Sequence, residues 1–151
     1  MTITRIDPTD TAKQTELNKF YIAHNLELTD EGEFPYPYKD VVFSYELHDN
    51  SDNFVGAVTI CSFNDDFMVG AICVLPKHEN KGYGGILLQK AIDELSGKNI
   101  FTVAKKPDFF AKHGFKEIKR KNDPLLSDCY NCHSYQKNCF PKVMKLGTNK
   151  V

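Results

Sequence analysis

No stretch of this sequence is apolar for long enough to cross a bilayer as a helix, and its first residues, MTITRIDPTD, lack the apolar core of a signal peptide. The expectation is a soluble, cytoplasmic chain with no membrane partner. Net charge is nearly absent as well: 19 basic residues stand against 20 acidic ones. No overall field therefore draws the protein towards nucleic acid, and no nucleic-acid partner is expected. The basic stretch KEIKRK, residues 116 to 121, is explained more economically as a solvated strand end than as a phosphate site. Internal repeats, low-complexity tracts and linkers are missing, so residues 1–151 read as a single domain, large enough to bury a core without disulfide support. Five cysteines do not make a disulfide scaffold in such a chain, and Cys61 and Cys73, inside apolar runs, read as small buried hydrophobes.

What is present is a run of short, regular elements. TITRI alternates like a first strand. After Pro8, one of Thr9, Asp10 or Thr11 caps a helix whose apolar face carries Leu17, Phe20, Tyr21 and His24. Residues 28 to 40, LTDEGEFPYPYKD, break regularity and predict a long aromatic loop or short broken helix. VVFSYEL (41–47), FVGAVTICSF (54–63) and FMVGAICVL (67–75) are strand-like and joined by Asn/Asp turns, as in consecutive antiparallel hairpins. The third is almost wholly apolar and predicts a central strand covered on both faces. A helix with Leu88, Ala91, Ile92 and Leu95 on one stripe follows and closes at Gly97. NIFTVA (99–104) is the next strand, and a strand–helix–strand unit of this length implies a parallel pair with a right-handed crossover. KPDFFAKHG predicts a short helix, FKEI the start of a strand, and FPKVMKLG a last strand. The fold class is α/β: one mixed sheet, antiparallel early and parallel in the middle.

Glycine is scarce, nine in all, yet Gly82, Gly84 and Gly85 fall within four residues, between the third apolar strand and the helix. Each glycine weakens a helix by about 1 kcal/mol relative to alanine, so local stability does not explain them. Unpaired amides at a helix start, with the positive end of its dipole, form a site for phosphate. Missing Cβ atoms let a diphosphate approach, and Lys81 adds a cation beside it. The competing explanation is a crowded helix–strand contact that needs small residues. Neither G-x-x-x-x-G-K-[ST] nor G-x-G-x-x-G is present, so the P-loop and the dinucleotide fingerprint are excluded.

Glu79-Asn80-Lys81-Gly82-Tyr83-Gly84, preceded by VLPKH and followed by GILLQKAIDEL, resembles the coenzyme A loop [QR]-x-x-G-x-[GA] of the GCN5-related N-acetyltransferase (GNAT) family. FFAKHGF, residues 109 to 115, is similar to that family's F-Y-x-k-x-G-F, and the two matches with the order of elements cover roughly residues 40 to 120. The resemblance implies the acyl-CoA N-acyltransferase fold, in which two central strands splay apart around a thioester arm. It implies acetyl-CoA as co-substrate, held by Val74, Glu79, Asn80, Lys81, Gly82, Tyr83, Gly84, Gly85 and Phe110. It further implies acetyl transfer to the primary amine of a small molecule, by direct attack in a ternary complex. Members often pair as homodimers.

Two departures bear on catalysis. Glu79 replaces the usual Gln or Arg, leaving phosphate binding to the amides of residues 80 to 85. Phe110 stands where many members carry a proton-donating tyrosine, and the place of a frequent glutamate base falls at or beside Met68. Asp65, Asp66, Glu33, Tyr36 and Tyr38 are the nearest titratable candidates, and none carries a specific catalytic signal. The alternative to an enzyme is a CoA-binding regulatory or interaction module without turnover. PDFFAKHGFKEI and the later CYNCHSYQKNCFPKVM are similar to domains of the N-acetylglutamate synthase type, which also lack the tyrosine and point to an amino acid or related amine. Cys129, Cys132 and Cys139, with His133, have half of a zinc signature. Reduced packing thiols, a redox-formed bridge and bound zinc all remain open from the sequence, with packing thiols the simplest and no metal assigned.

Overall fold

The runs of apolar residues become strands and helices with nearly the expected bounds. In this computed structural model residues 1–26, 28–35, 38–121, 123–126 and 140–147 are described. They form β1 (Thr2–Ile6), α1 (Thr11–Ala23), β2 (Val41–His48), β3 (Phe54–Phe63), β4 (Asp66–Val74), α2 (Tyr83–Glu94), β5 (Ile100–Ala104), α3 (Pro107–Ala111), β6 (Lys116–Glu117) and β7 (Lys142–Leu146). Asp10 is the cap of α1, its carboxylate accepting from the Lys13 amide at 3.1 Å. The aromatic segment after α1 is an irregular loop, turned by the Thr29 amide donating to the Glu33 carbonyl at 2.8 Å.

The seven strands lie in one sheet, in the order β1-β2-β3-β4-β5-β7-β6. Neighbours are antiparallel except β4 and β5, which are parallel. Strand alternation sends Val58 and Ile60 to the face covered by α2, where Leu87, Leu88 and Ala91 have no exposed surface. Burying each of those leucines is worth about 2 kcal/mol. Ala57 and Cys61 turn to the opposite face, against Leu17 and Tyr21 of α1 and Phe34 of the loop. A buried polar chain fastens α1 to the sheet: the Tyr21 hydroxyl meets Thr59 Oγ1 at 2.8 Å, and Ser44 Oγ donates to Gln14 Oε1 at 2.7 Å. Among the described residues no helix is long and apolar enough to cross a membrane.

Two irregularities shape the middle of the sheet. The β3–β4 register shifts between Thr59↔Ala71 and Ile60↔Val69, so Gly70 is the extra residue of a β-bulge. Beside it, β4 and β5 pair only at Phe67↔Ile100 and Met68↔Phe101 and then part. β4 is buried at Met68, Val69 and Ala71 and not along its whole length. Ile72, Cys73 and Val74 are half-exposed although apolar, because the strand that would cover their edge has turned away.

Near-zero net charge conceals a segregation. Residues 1–97 hold seven basic and sixteen acidic side chains, −9 in all; residues 98–151 hold twelve and four, +8. In the sequence the change of sign falls between β4 and β5.

Candidate functional site

The turn between β4 and α2 is built by backbone conformation. Asn80 and Gly82 both have positive φ, 62° and 84°, and Gly82 is the N-cap of α2 with no side-chain cap. A Cβ at Gly82 would meet nothing within 4 Å, so glycine is there for the left-handed dihedral alone. The Glu79 amide donates to the Pro76 carbonyl at 3.2 Å, and the next amide with a backbone acceptor is that of Ile86, bonded to the Gly82 carbonyl at 3.2 Å. Among the described residues, the amides of 80 to 85 have no backbone acceptor. Six such donors thus lie in and just before the first turn of a twelve-residue helix, at its positive end.

Gly84 and Gly85 serve a different end. A Cβ on Gly84 would lie 3.3 Å from Phe109 Cε1 and 3.8 Å from Val74 Cγ2; one on Gly85 would lie 3.2 Å from His113 Nε2. They let α3 and the turn after it press against the start of α2. Of the explanations weighed from the sequence, the crowded contact that needs small residues holds at Gly84 and Gly85, while Gly82 serves the left-handed turn.

Val74 ends β4 in register with Gly56, and its edge towards β5 has no strand partner among the described residues. Val74, Tyr83 and Phe109 are partly buried neighbours on the α2 face. Tyr83 packs its ring against His78, centroids 5.9 Å apart. Glu79, Asn80 and Lys81 are exposed on the turn. Phe110, 6% exposed, lies deeper, against Phe115 at 5.4 Å and Phe109 at 5.1 Å between centroids. Phe109 and not Phe110 therefore touches the glycine turn. The legible signal for it was the pair of glycines, whose missing side chains require a bulky neighbour.

On the opposite face Met68 is 1% exposed at the last β4–β5 pair, so the position of the frequent glutamate base is a sealed thioether. Asp66 accepts from Asn99 Nδ2 at 3.2 Å, bracing the entry to β5. Glu33 is exposed and Tyr38 is packed between the clusters around Phe34 and Met68. Burial pushes the Cys73 thiol up to about 11, with Glu79 raising it further and Lys106 lowering it. It is protonated at neutral pH. Neither Cys73 nor Lys106 stood out in the sequence; only the parting of the strands brings attention to them. Tyr36 and the cluster of Cys129, Cys132 and Cys139 lie outside the described residues.

A helix start rich in amides without a backbone acceptor thus stands beside a gap between two parallel strands of an α/β sheet. The profile of the acetyltransferase (GNAT) domain matches residues 40–117, just over half of the chain. The chain belongs to that family. An uncharacterized N-acetyltransferase of Chlorobaculum tepidum is 32% identical over 69 residues, covering 42% of this chain and 44% of that protein. This chain thus spans less than half the length of that relative. Among solved structures, Escherichia coli ElaA superposes with a TM-score of 0.67 at 13% identity, covering 96% of this chain and 99% of that one. Rv2747 of Mycobacterium tuberculosis, in complex with CoA, gives 0.64 at 17% identity, covering 99% and 100%. N-acetylglutamate synthase of Neisseria gonorrhoeae, complexed with coenzyme A and N-acetyl-glutamate, gives 0.63 at 16% identity, covering 99% of this chain and 36% of that one.

Proposed function

We propose that the protein is an acetyl-CoA-dependent N-acetyltransferase acting on the primary amine of a small molecule. The observation that carries this reading is the run of six unsatisfied amides, residues 80 to 85, beside the place where β4 and β5 part. Those amides and Lys81 would hold the diphosphate, with open space where a side chain at Gly82 would stand. The unpartnered edge of β4 at Val74 would receive the amide-bearing arm. Phe109 and Tyr83 would flank it. The thioester supplies an activated acyl group that needs no further activation by the protein.

What the chain itself contributes is position. Holding amine and thioester in register can supply several kcal/mol of the barrier, with water taking the proton. Direct attack suits the site better than a covalent relay through cysteine, since the Cys73 thiol is held protonated by burial. Buried Phe110 and Met68, neither of them able to move a proton, favour as a second reading a CoA-binding module without turnover.

Thiol release measured over a panel of amines, together with thermal stabilisation by CoA, separates the readings. Stabilisation with release supports the enzyme; stabilisation with no release across the panel supports the module; no stabilisation removes both.

A further inference from the structure

Gly56 lies inside β3 and is not among the glycines with positive φ, so its dihedrals do not call for glycine. Glycine within a strand costs stability and marks a place where another backbone or a ligand comes close. Here the close neighbour is β4. A Cβ on Gly56 would stand 2.5 Å from the Cys73 carbonyl oxygen, 3.0 Å from Val74 Cα and 3.2 Å from Val74 Cγ2. Gly70 and Gly147 are as crowded, but there the nearest atoms belong to side chains, Cys61 Sγ at 2.7 Å and Asn99 Oδ1 at 2.4 Å. A side chain can turn aside; the main chain of β4 cannot.

That main chain carries the open edge. The Leu75 amide donates to the Val55 carbonyl at 2.8 Å, which makes Val55 and Leu75 a hydrogen-bonded pair. By alternation, Gly56 with Val74 and Val58 with Ile72 are the pairs that exchange no hydrogen bonds. The N–H and C=O groups of Ile72 and Val74 therefore point away from β3, along the edge that β5 has left. Among the described residues, β3 is the one strand that holds this end of β4. β3 itself is braced from behind by β2, with Gly56 opposite fully buried Leu47. A side chain at position 56 would accordingly move the end of β4, by on the order of 1 Å if ordinary contact distances are to be restored.

Val74 also touches the helix start. Its Cγ2, 3.2 Å from the Cβ position of Gly56, is 3.8 Å from that of Gly84. One methyl group thus stands between a glycine of β3 and a glycine in the first turn of α2.

We propose that Gly56 and the Val74 side chain are positioning residues for the acyl carrier, setting the distance between the amides of residues 80 to 85 and the edge groups of Ile72 and Val74. This rests on the coenzyme reading given above, in which the turn takes the diphosphate and the edge takes the arm. A ligand held at two linked places outdoes either of its parts only while the spacing lets both engage together. Gly56 acts by leaving room, and Val74 acts as the spacer.

The test uses calorimetry on the full chain with two probes: CoA, and adenosine 3′-phosphate 5′-diphosphate, which keeps the diphosphate and lacks the arm. Gly56→Ala should weaken CoA by about tenfold or more and the fragment by less than about threefold. Gly147→Ala, whose added Cβ is equally crowded but at Asn99, should lower Tm and leave both affinities as they were. Val74→Ala removes atoms and so tests the spacing even if Gly56→Ala does not fold; it should weaken CoA by about threefold or more with the fragment unaltered. Circular dichroism identifies the folded variants. In those, equal loss of both probes, or loss of neither, overturns the inference while leaving CoA binding intact. A native chain that binds CoA but not the fragment also overturns it, since the turn would then hold no part of the carrier by itself. A native chain that binds neither removes the coenzyme reading.

Discussion

Gly82, Gly84 and Gly85 are alike in sequence and unlike in what they do, and their substitutions should differ accordingly. Gly82→Ala forces an L side chain into φ +84° with no steric neighbour, so the expected loss is about 1 kcal/mol of stability, read as a drop of a few degrees in Tm. Gly84→Glu adds a Cβ 3.3 Å from the Phe109 ring and a carboxylate among the free amides. CoA affinity should fall at least 100-fold, about 2.7 kcal/mol, by calorimetry, with the circular dichroism spectrum retained. Unchanged affinity would remove the turn from the binding site. Phe110→Tyr should leave CoA affinity unaltered and raise turnover if its hydroxyl reaches the gap. Lower Tm with unaltered turnover would show the hydroxyl trapped among Phe109 and Phe115.

At the scale of elements, α2 is tied to the sheet at its far end as well. Arg5 of β1 donates to Glu94 through Nε at 2.9 Å and Nη2 at 2.8 Å, and the Tyr45 hydroxyl of β2 donates to the same carboxylate. The hydrogen bonds from Arg5 hold the Glu94 pKa below its usual value, against the opposing effect of burial. Burial, with the Glu94 contact, pushes Tyr45 up to about 12. A carboxyl depressed in the folded state adds stability that is complete above its unfolded pKa and disappears as pH falls through the folded one. Denaturation followed from pH 7 downward should therefore show an acid-side loss that Glu94→Gln reduces. An identical acid profile in the variant would assign the loss to other carboxyls. The strands around this tie were legible because Asn/Asp turns bound their apolar runs; β3 matches its run at both ends. The bulge at Gly70 was not, since one extra residue in an all-apolar run leaves no polar marker to betray the shift. For the same reason the face on which Ala71 and Cys73 lie, which depends on that shift, was hidden, while the turn before α2 was plain from glycine spacing.

For the molecule as a whole, the sequence divides into a −9 part before Lys98 and a +8 part from Lys98 onward. A polyanion such as CoA should be drawn to the side bearing Lys105, Lys106 and Lys112, and its association rate should fall as salt rises. Stopped-flow binding between 20 and 500 mM salt, chosen to span several Debye lengths, should show a decrease of roughly tenfold or more. A flat profile would show that the segregated charge has no part in capture. Like-charged Lys116 and Lys145 sit directly opposite each other on β6 and β7, so this edge carries repulsion that bound anion or added salt relieves. Finally, among the described residues the edge of β4 that faces β5 has no strand partner beyond Met68, while its other edge stays paired with β3, and an extended arm bearing amides can act as the absent strand. Amide hydrogen exchange at Ala71 to Val74 should accordingly be faster than at Phe67 and Met68 in the free protein, and should slow once the arm is in place, so that a diffusible molecule completes the hydrogen-bond ladder of a protein sheet.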